Sequence, residues 1–353
     1  MGVGLALESL GRANPVRCLA AQVQRWSGAA DSVKHGWSTN SQTQQLFPGI
    51  GGAVVKRWMQ NLLFVVLIVF GTSAYAMQGV FWQPQLRDLH ISDHAWAGLM
   101  AQVREQGFDT LVLQWTRHDD SFSEVQQWQQ LLKKTIAARQ AGLKIIVGLH
   151  WDSQFFTLQK QPADALAAYL RQLAARDLQQ LVLWQSRLPF VPDGWYVSAE
   201  IDDKNWRSQA QRKRLLGWLS SLRRGLGEHS GEPVYISSFF AGNMSPEAYG
   251  ALLTDISEAG YQVWVQDGAG VGALPDRARQ LYLERAGDCK HQASPARGFI
   301  YEIFKQHRQG EFVAYTHNTA RLPAGPVLQS GCDHQQLYFS LRYLPAANEV
   351  MER

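Results

Sequence analysis

The sequence predicts an α/β protein of one (β/α)8 TIM barrel, and three observations carry that expectation. A phrase recurs: REQGFDTLVLQW (104–115), ARQAGLKIIVGLHW (138–151) and SEAGYQVWVQDG (257–268) each run from a helix end through Gly, an apolar and a polar residue into a β-rich run. Glycine suits the left-handed position that closes a helix, and so short a loop leads straight back into a sheet. Eight β-rich runs then alternate with amphipathic stretches between residues 79 and 344, the pattern of a barrel. A doubly wound open sheet alternates in the same way, but no GxGxxG follows the first strand run to make its phosphate turn.

The predicted strands are GVFW (79–82), TLVLQW (110–115), KIIVGLHW (144–151), GWYVSAE (194–200), VYISSFF (234–240), YQVWVQD (261–267), GFIYEIF (298–304) and QLYFSLRYL (336–344). Start signals mark several helices between them: Ser92-Asp93 before HAWAGLMAQV, Ser123 before EVQQWQQLLKKTIAA, and Ser245-Pro246-Glu247 with proline in the first turn. The eighth crossover, HNTARLPAGPVLQSGCDH, is rich in Pro and Gly and is expected to be irregular. No linker or composition break divides 77–353, so this stretch reads as one domain.

In front of it lies an expected targeting segment. Lys56-Arg57 precede the apolar run LLFVVLIVFG (62–71), and Ala74-Tyr75-Ala76 supplies an A-x-A site, so residues 54–76 read as a signal peptide cleaved after Ala76. The run is short for a membrane span, and no cysteine follows the cleavage point to carry a lipid. No stable membrane anchor is therefore expected after cleavage, and the destination is the periplasm or the exterior of a bacterium. Residues 1–53 read as a misassigned or disordered leader, with initiation near Val55 or Met59 as the alternative start.

The formal charge of +4 over 353 residues comes with no Lys/Arg run, which argues against a nucleic-acid partner. Of three cysteines only Cys289 and Cys332 belong to 77–353, and export makes a disulfide between them possible. No CxxC or His/Cys spacing argues for zinc, so neither metal nor cofactor is expected. The 13 Trp residues fit helix packing, or sugar faces where they stand at a cleft.

GWYVSAEID (194–202) raises the functional question, because a strand into a core has no reason to end on a carboxylate. In a barrel the C-terminal strand ends face the active site. Those ends here are Trp82-Gln83, Gln114-Trp115 with His118, His150-Trp151-Asp152, Glu200, Gln266-Asp267 and Tyr301-Glu302. Glycoside hydrolysis needs two carboxyls flanking the scissile bond. Glu200 on strand four and Glu302 on strand seven are the candidate catalytic pair. Trp82, Trp115 and Trp151 are candidate sugar platforms; Gln83, His118, His150, Asp152, Gln266, Asp267 and Tyr301 are candidate partners for hydroxyls or for the two acids.

GVFWQP (79–84), TLVLQWT (110–116), GWYVSAEID, SSFFAGNMSPEAY (237–249) and VQDGAGVG (265–272) resemble the bacterial family catalogued as domain of unknown function 4434, whose members are regarded as TIM-barrel glycosidases. The resemblance spans about residues 78 to 345 and implies the fold more firmly than the activity. More distantly, carboxylates after strands four and seven are similar to a large clan of retaining glycosidases, which by position would make Glu200 the acid/base and Glu302 the nucleophile. That clan usually carries Asn before the acid/base; Ala199 stands here, which removes a hydrogen bond to the sugar 2-hydroxyl.

Three functions compete. One is an exported glycoside hydrolase acting on a bacterial oligo- or polysaccharide. Another is a non-catalytic carbohydrate-binding barrel in exopolysaccharide export or sensing. The third is metal-dependent hydrolysis through His118, His150, Asp152 and Asp267, whose spacing fits no helical i,i+4 zinc pair.

Overall fold

The computed structural model describes residues 76–289, 294–306, 314–316 and 332–351. The expected leader, the expected signal peptide up to residue 75 and most of the Pro/Gly-rich connection between the seventh and eighth predicted strands lie outside them. Eight strands form the barrel: β1 Gln78–Trp82, β2 Thr110–Leu113, β3 Lys144–Gly148, β4 Gly194–Asp202, β5 Val234–Phe239, β6 Gln262–Gln266, β7 Gly298–Glu302 and β8 Gln335–Phe339. Each pairs in parallel with its sequence neighbours, and β8 pairs with β1, so the sheet closes.

The crossover helices are α1 Asp93–Glu105, α2 Val125–Gln140, α3 Ala163–Arg187, α4 Gln209–His229, α5 Pro246–Glu258 and α6 Asp276–Ala286. Ser92 and Ser245 cap α1 and α5, their hydroxyls accepting the Ala95 and Ala248 amides, as Ser does at a helix start. Ser123 does not cap α2. Its hydroxyl donates to the Asp120 carbonyl inside the preceding turn, and the helix starts one residue later, after Glu124. The glycines of the recurrent phrase, Gly107, Gly142 and Gly260, all have φ between 88° and 95°, so each closes a helix where a side chain would be strained.

The barrel is filled by rings. Phe81 of β1 meets Tyr196 of β4, Trp264 of β6 and Phe339 of β8 at centroid distances of 5.5, 5.7 and 5.8 Å, and Tyr235 of β5 stacks on Trp264 at 4.5 Å. All are buried, and each contributes roughly 1.5–3 kcal/mol by leaving water. Large rings on five strands thus close the barrel below its mouth.

Several strands stop earlier than their β-rich runs. β2 ends at Leu113 and β3 at Gly148, and both chains resume pairing just beyond, Arg117–His118 lying parallel to His150–Trp151. Gly148 makes the crossing possible: a Cβ there would lie 2.2 Å from the Gln114 carbonyl oxygen. β7 ends at Glu302, and Phe304–Gln306 turns away to pair antiparallel with Ala314–Thr316. β8 ends at Phe339 and gives way to 3-10 turns at Leu341–Tyr343 and Pro345–Ala347. Cys289, just past α6, is bonded to Cys332, just before β8, with their Cα atoms 6.4 Å apart.

Candidate active site

Register decides which strand-end groups face inward. Residues registered across a parallel pair share a face, and so do alternate residues along a strand. Phe81, Trp264 and Phe339 meet inside the barrel. Glu302 is registered with Phe339, so it faces in. Ser237 is registered with Trp264 on one side and with Glu200 on the other, so Glu200 faces in as well. Gln266, two residues beyond Trp264, follows it. Both candidate acids therefore stand on the inner face, with Glu200 1% and Glu302 5% exposed.

Glu200 reaches this position through an irregularity. The β4–β5 pairing passes from Val197 opposite Ile236 to Glu200 opposite Ser237, leaving Ser198 and Ala199 as extra residues. Such a bulge re-aims the side chains beyond it and is common beside active sites. Here it is pinned from both flanks. The Ser198 hydroxyl donates to the Gln114 carbonyl at 2.7 Å, and the Ser237 hydroxyl lies 2.7 Å from the Tyr196 hydroxyl and 3.4 Å from the Ala199 carbonyl.

Glu302 sits under a turn. Its Oε2 accepts the Gly270 and Val271 amides at 2.7 and 2.9 Å, while its own amide donates to Asp267 Oδ1 at 3.2 Å. Two N–H donors on one oxygen suit an ionised carboxylate. Asp267 Oδ1 also accepts the Ala269 amide at 3.1 Å, and Arg279 of α6 lies 3.6 Å from Oδ2. Burial pushes the Asp267 pKa up, against the pull of the Ala269 amide and of Arg279.

The continuation of β2 and β3 forms the opposite rim. Trp115, His118 and Trp151 meet there, with centroid distances of 4.8, 6.0 and 6.4 Å. The Trp115 indole is fixed by a 3.1 Å bond to the Pro84 carbonyl. Asp119 adopts φ 46° and Phe122 φ 66°, backbone states that cost a non-glycine residue energy and gather at functional sites. Burial works to raise the Asp119 pKa, but the hydrogen bonds of His118 and of the Ser153 amide outweigh it and hold the carboxyl at about 2.

Arg176 of α3 stands between His150 and Asp152, 3.5 Å from His150 Nε2 and 3.1 Å from Asp152 Oδ2. Burial, then the charge of Arg176, lowers the His150 pKa to about 4, so this imidazole is neutral near pH 7. Its backbone amide donates to Asp177 Oδ1 at 3.0 Å, and burial pushes Asp177 up to about 8. A guanidinium between His150 and Asp152 is the wrong neighbour for a cation. Among the described residues no three His, Cys, Asp or Glu side chains converge as metal ligands.

Two candidates turn away from the mouth. Trp82 is fully buried on the outer side of β1, its ring 4.4 Å from Trp96 of α1 and its indole N–H donating to Asp88. Tyr301 alternates with the inward Glu302, and its ring packs on Tyr338 of β8 at 5.3 Å; burial raises its pKa. Both fill the layer between strands and helices. Gln83 is half-buried just past β1.

Several groups that shape the site were not among the candidate residues. Asp202 accepts the Lys204 and Asn205 amides and the Gln159 side chain, and Asp203 accepts the Asn243 amide at 2.7 Å, so the carboxylates after Glu200 tie loops together. Gln114 is 2% exposed, and its Oε1 has no hydrogen-bond partner among the described residues. Gly270 could have been found from the QDGAG string, because a turn that dense in glycine marks close backbone approach. A surface groove of about 930 Å³, lined in part by Leu89, His90, Gln126, Gln130 and Lys133, contains none of the candidate residues.

Comparison with known proteins places the sequence. Uncharacterized protein YbcH of Escherichia coli strain K12 is 49% identical over 296 residues, covering 83% of this chain and the whole of that protein. Similar solved structures include the endo-1,4-β-mannanase of Rhizomucor miehei, at TM-score 0.31 and 9% identity over 65% of this chain and 67% of that one. The endo-1,4-β-mannanase of Eisenia fetida aligns at TM-score 0.33 and 11% identity over 66% and 70%. The exo-β-1,4-mannosidase Op5Man5 of Opitutaceae bacterium strain TAV5 aligns at 0.30 and 14% over 46% of this chain, which spans 32% of that enzyme's length. Likenesses this slight carry no argument about activity. The model of the domain of unknown function family DUF4434 matches residues 77–319, and the chain belongs to that family.

Proposed function

We propose that the barrel hydrolyses a glycosidic bond in a bacterial oligo- or polysaccharide, with Glu200 as acid/base and Glu302 as the second carboxylate. The observation that carries this reading is the register, by which Glu200 and Glu302 stand inward at the C-terminal ends of β4 and β7, where barrels do their chemistry. Two amide donors on Glu302 support an ionised group. In the reaction Glu200 gives its proton to the glycosidic oxygen as the bond from that oxygen to the anomeric carbon breaks. If Glu302 is the nucleophile, its carboxylate bonds to that carbon. Water then replaces it, losing its proton to Glu200 and releasing Glu302.

Trp115 and Trp151 would offer ring faces to the sugar, and Gln114 Oε1 a buried acceptor for a hydroxyl. The targeting segment before Ala76 supports export to the periplasm or beyond, and the Cys289–Cys332 bond supports an oxidising compartment. Neither nucleic acid nor a membrane is a partner in this reading. The separation of the two carboxyls in a sugar complex tests the mechanism: about 5–5.5 Å means retention, about 6.5–9.5 Å inversion, and a gap far outside both removes the pair.

A second reading has its own observation. Glu200 and Glu302 are 1% and 5% exposed, which keeps both acids from a polymer that stays at the aromatic rim. A barrel that binds oligosaccharide without cleaving it fits that burial. Titration calorimetry separates the two: saturable oligosaccharide binding that Glu200→Gln leaves unchanged, with no reducing ends released, supports the binding barrel.

A further inference from the structure

Glu302 is held at two points by a single turn. Its amide is accepted by Asp267 Oδ1, and its Oε2 accepts the Gly270 and Val271 amides from three and four residues further along the same turn. Asp267 folds that turn by accepting the Ala269 amide as well. The turn is in turn anchored from two sides. Arg279 of α6 donates to the Asp267 carbonyl at 3.1 Å, and Lys305 Nζ donates to the Ala269 carbonyl at 3.0 Å. The Gln306 amide closes on the Gly270 carbonyl at 3.0 Å. No side chain fits at residue 270, where a Cβ would lie 2.7 Å from the Phe304 carbonyl oxygen and 2.9 Å from Glu302 Cβ.

The arrangement differs from that of Asp202, while Asp203 has a like hold, its Oδ2 accepting the Asn243 and Met244 amides of the turn after β5 at 2.7 and 3.4 Å. Asp202 accepts amides two and three residues ahead and so orders its own loop. Glu302 stands on the inner face of the barrel and is gripped reciprocally by the turn of the neighbouring strand. One oxygen held by two convergent donors fixes the plane and direction of a carboxylate, which is how a supporting shell sets a reacting group to within a fraction of an ångström.

We infer that Asp267, with the Gly268–Val271 turn it folds, is the positioning device of Glu302, holding it at its amide and at Oε2. This rests on the reading of Glu302 as the second carboxylate of a hydrolase. Asp267 is thereby a positioning residue, not a sugar contact.

The test has two arms on full-length mature protein, with folding of each variant checked by its melting transition. The first needs no substrate: hydrogen exchange of the Gly270 and Val271 amides is compared between wild type and Glu302→Ala. Exchange at least tenfold faster in the variant, with the 202–205 amides unchanged, is expected; equal exchange overturns the inference. The second arm measures turnover in Asp267→Ala and Gly270→Ala beside Glu302→Gln. The expected result is kcat reduced tenfold to a hundredfold in the first two, KM within about twofold, and a displaced limb in the pH profile. If Glu302→Gln abolishes turnover while folded Asp267→Ala and Gly270→Ala keep wild-type kcat and pH profile, the positioning role is wrong. If turnover survives Glu302→Gln, the assignment of Glu302 as the second carboxylate falls, and the positioning role with it.

Discussion

At the scale of single residues, the groups around the mouth differ in what burial does to them. Asp177 and His150 share a hydrogen bond yet are shifted in opposite senses, the carboxyl up to about 8 and the imidazole down to about 4. A carboxyl whose pKa is raised by folding binds more protons folded than unfolded, so its contribution is lost as pH rises. The imidazole's pKa is lowered, so its contribution is lost as pH falls from about 6.5 toward about 4. The two oppose each other in that acid window. Above it Asp177 acts alone of the pair, and stability is expected to fall by about 1 kcal/mol between pH 7 and pH 8. Urea unfolding at the two pH values checks this, and Asp177→Asn is expected to flatten the difference. The strand-end places of Glu200 and Glu302 were legible in the sequence because a carboxylate is out of place at the end of an apolar strand. Trp82 and Tyr301 misled because sequence shows which residues end a strand but not their parity. One residue of alternation separates the mouth from the helix layer.

At the scale of elements, the alternation of eight β-rich runs with capped helices was readable, but the strand ends were not. TLVLQW and KIIVGLHW look continuous, yet both barrel strands stop early and pair again beyond a crossing. The local signal was Gly148, since glycine inside a strand run marks a bulge or a close approach of backbone. Gly148→Ala would press a methyl against the Gln114 carbonyl, a backbone atom fixed by its bond from Ser198. A loss of about 3 kcal/mol or more is expected in denaturant unfolding, and a variant within about 0.5 kcal/mol of wild type would refute the crossing. The bulge before Glu200 left no comparable mark. SA in the middle of GWYVSAEID carries no glycine, and its irregularity is held by Ser237 of the neighbouring β5 and by the Gln114 carbonyl just past β2.

At the scale of the whole molecule, the barrel is closed at its centre by rings from five strands and laced near its seam by Cys289–Cys332, which joins the end of α6 to the start of β8 across 43 residues. Closing a loop of that length removes unfolded-chain entropy worth about 4 kcal/mol in the loop-entropy model. Cys332→Ser, or reduction, is therefore expected to lower the melting temperature by roughly 10 °C, and a change under about 2 °C would mean the bond adds little to the fold. The barrel could be read from the sequence because each βα unit repeats its own local chemistry. The cradle around Glu302 could not, because its donors come from the turn after β6 and its acceptor from β7, brought together only by the pairing of these two strands. The measurement that bears most directly on function is reducing-end release by purified residues 77–353 against a broad panel of bacterial and plant polysaccharides, with Glu200→Gln and Glu302→Gln alongside. Release by the wild type that falls at least a hundredfold in each folded variant is the expected result. Release that either variant retains in full would contradict the assignment of the two carboxylates.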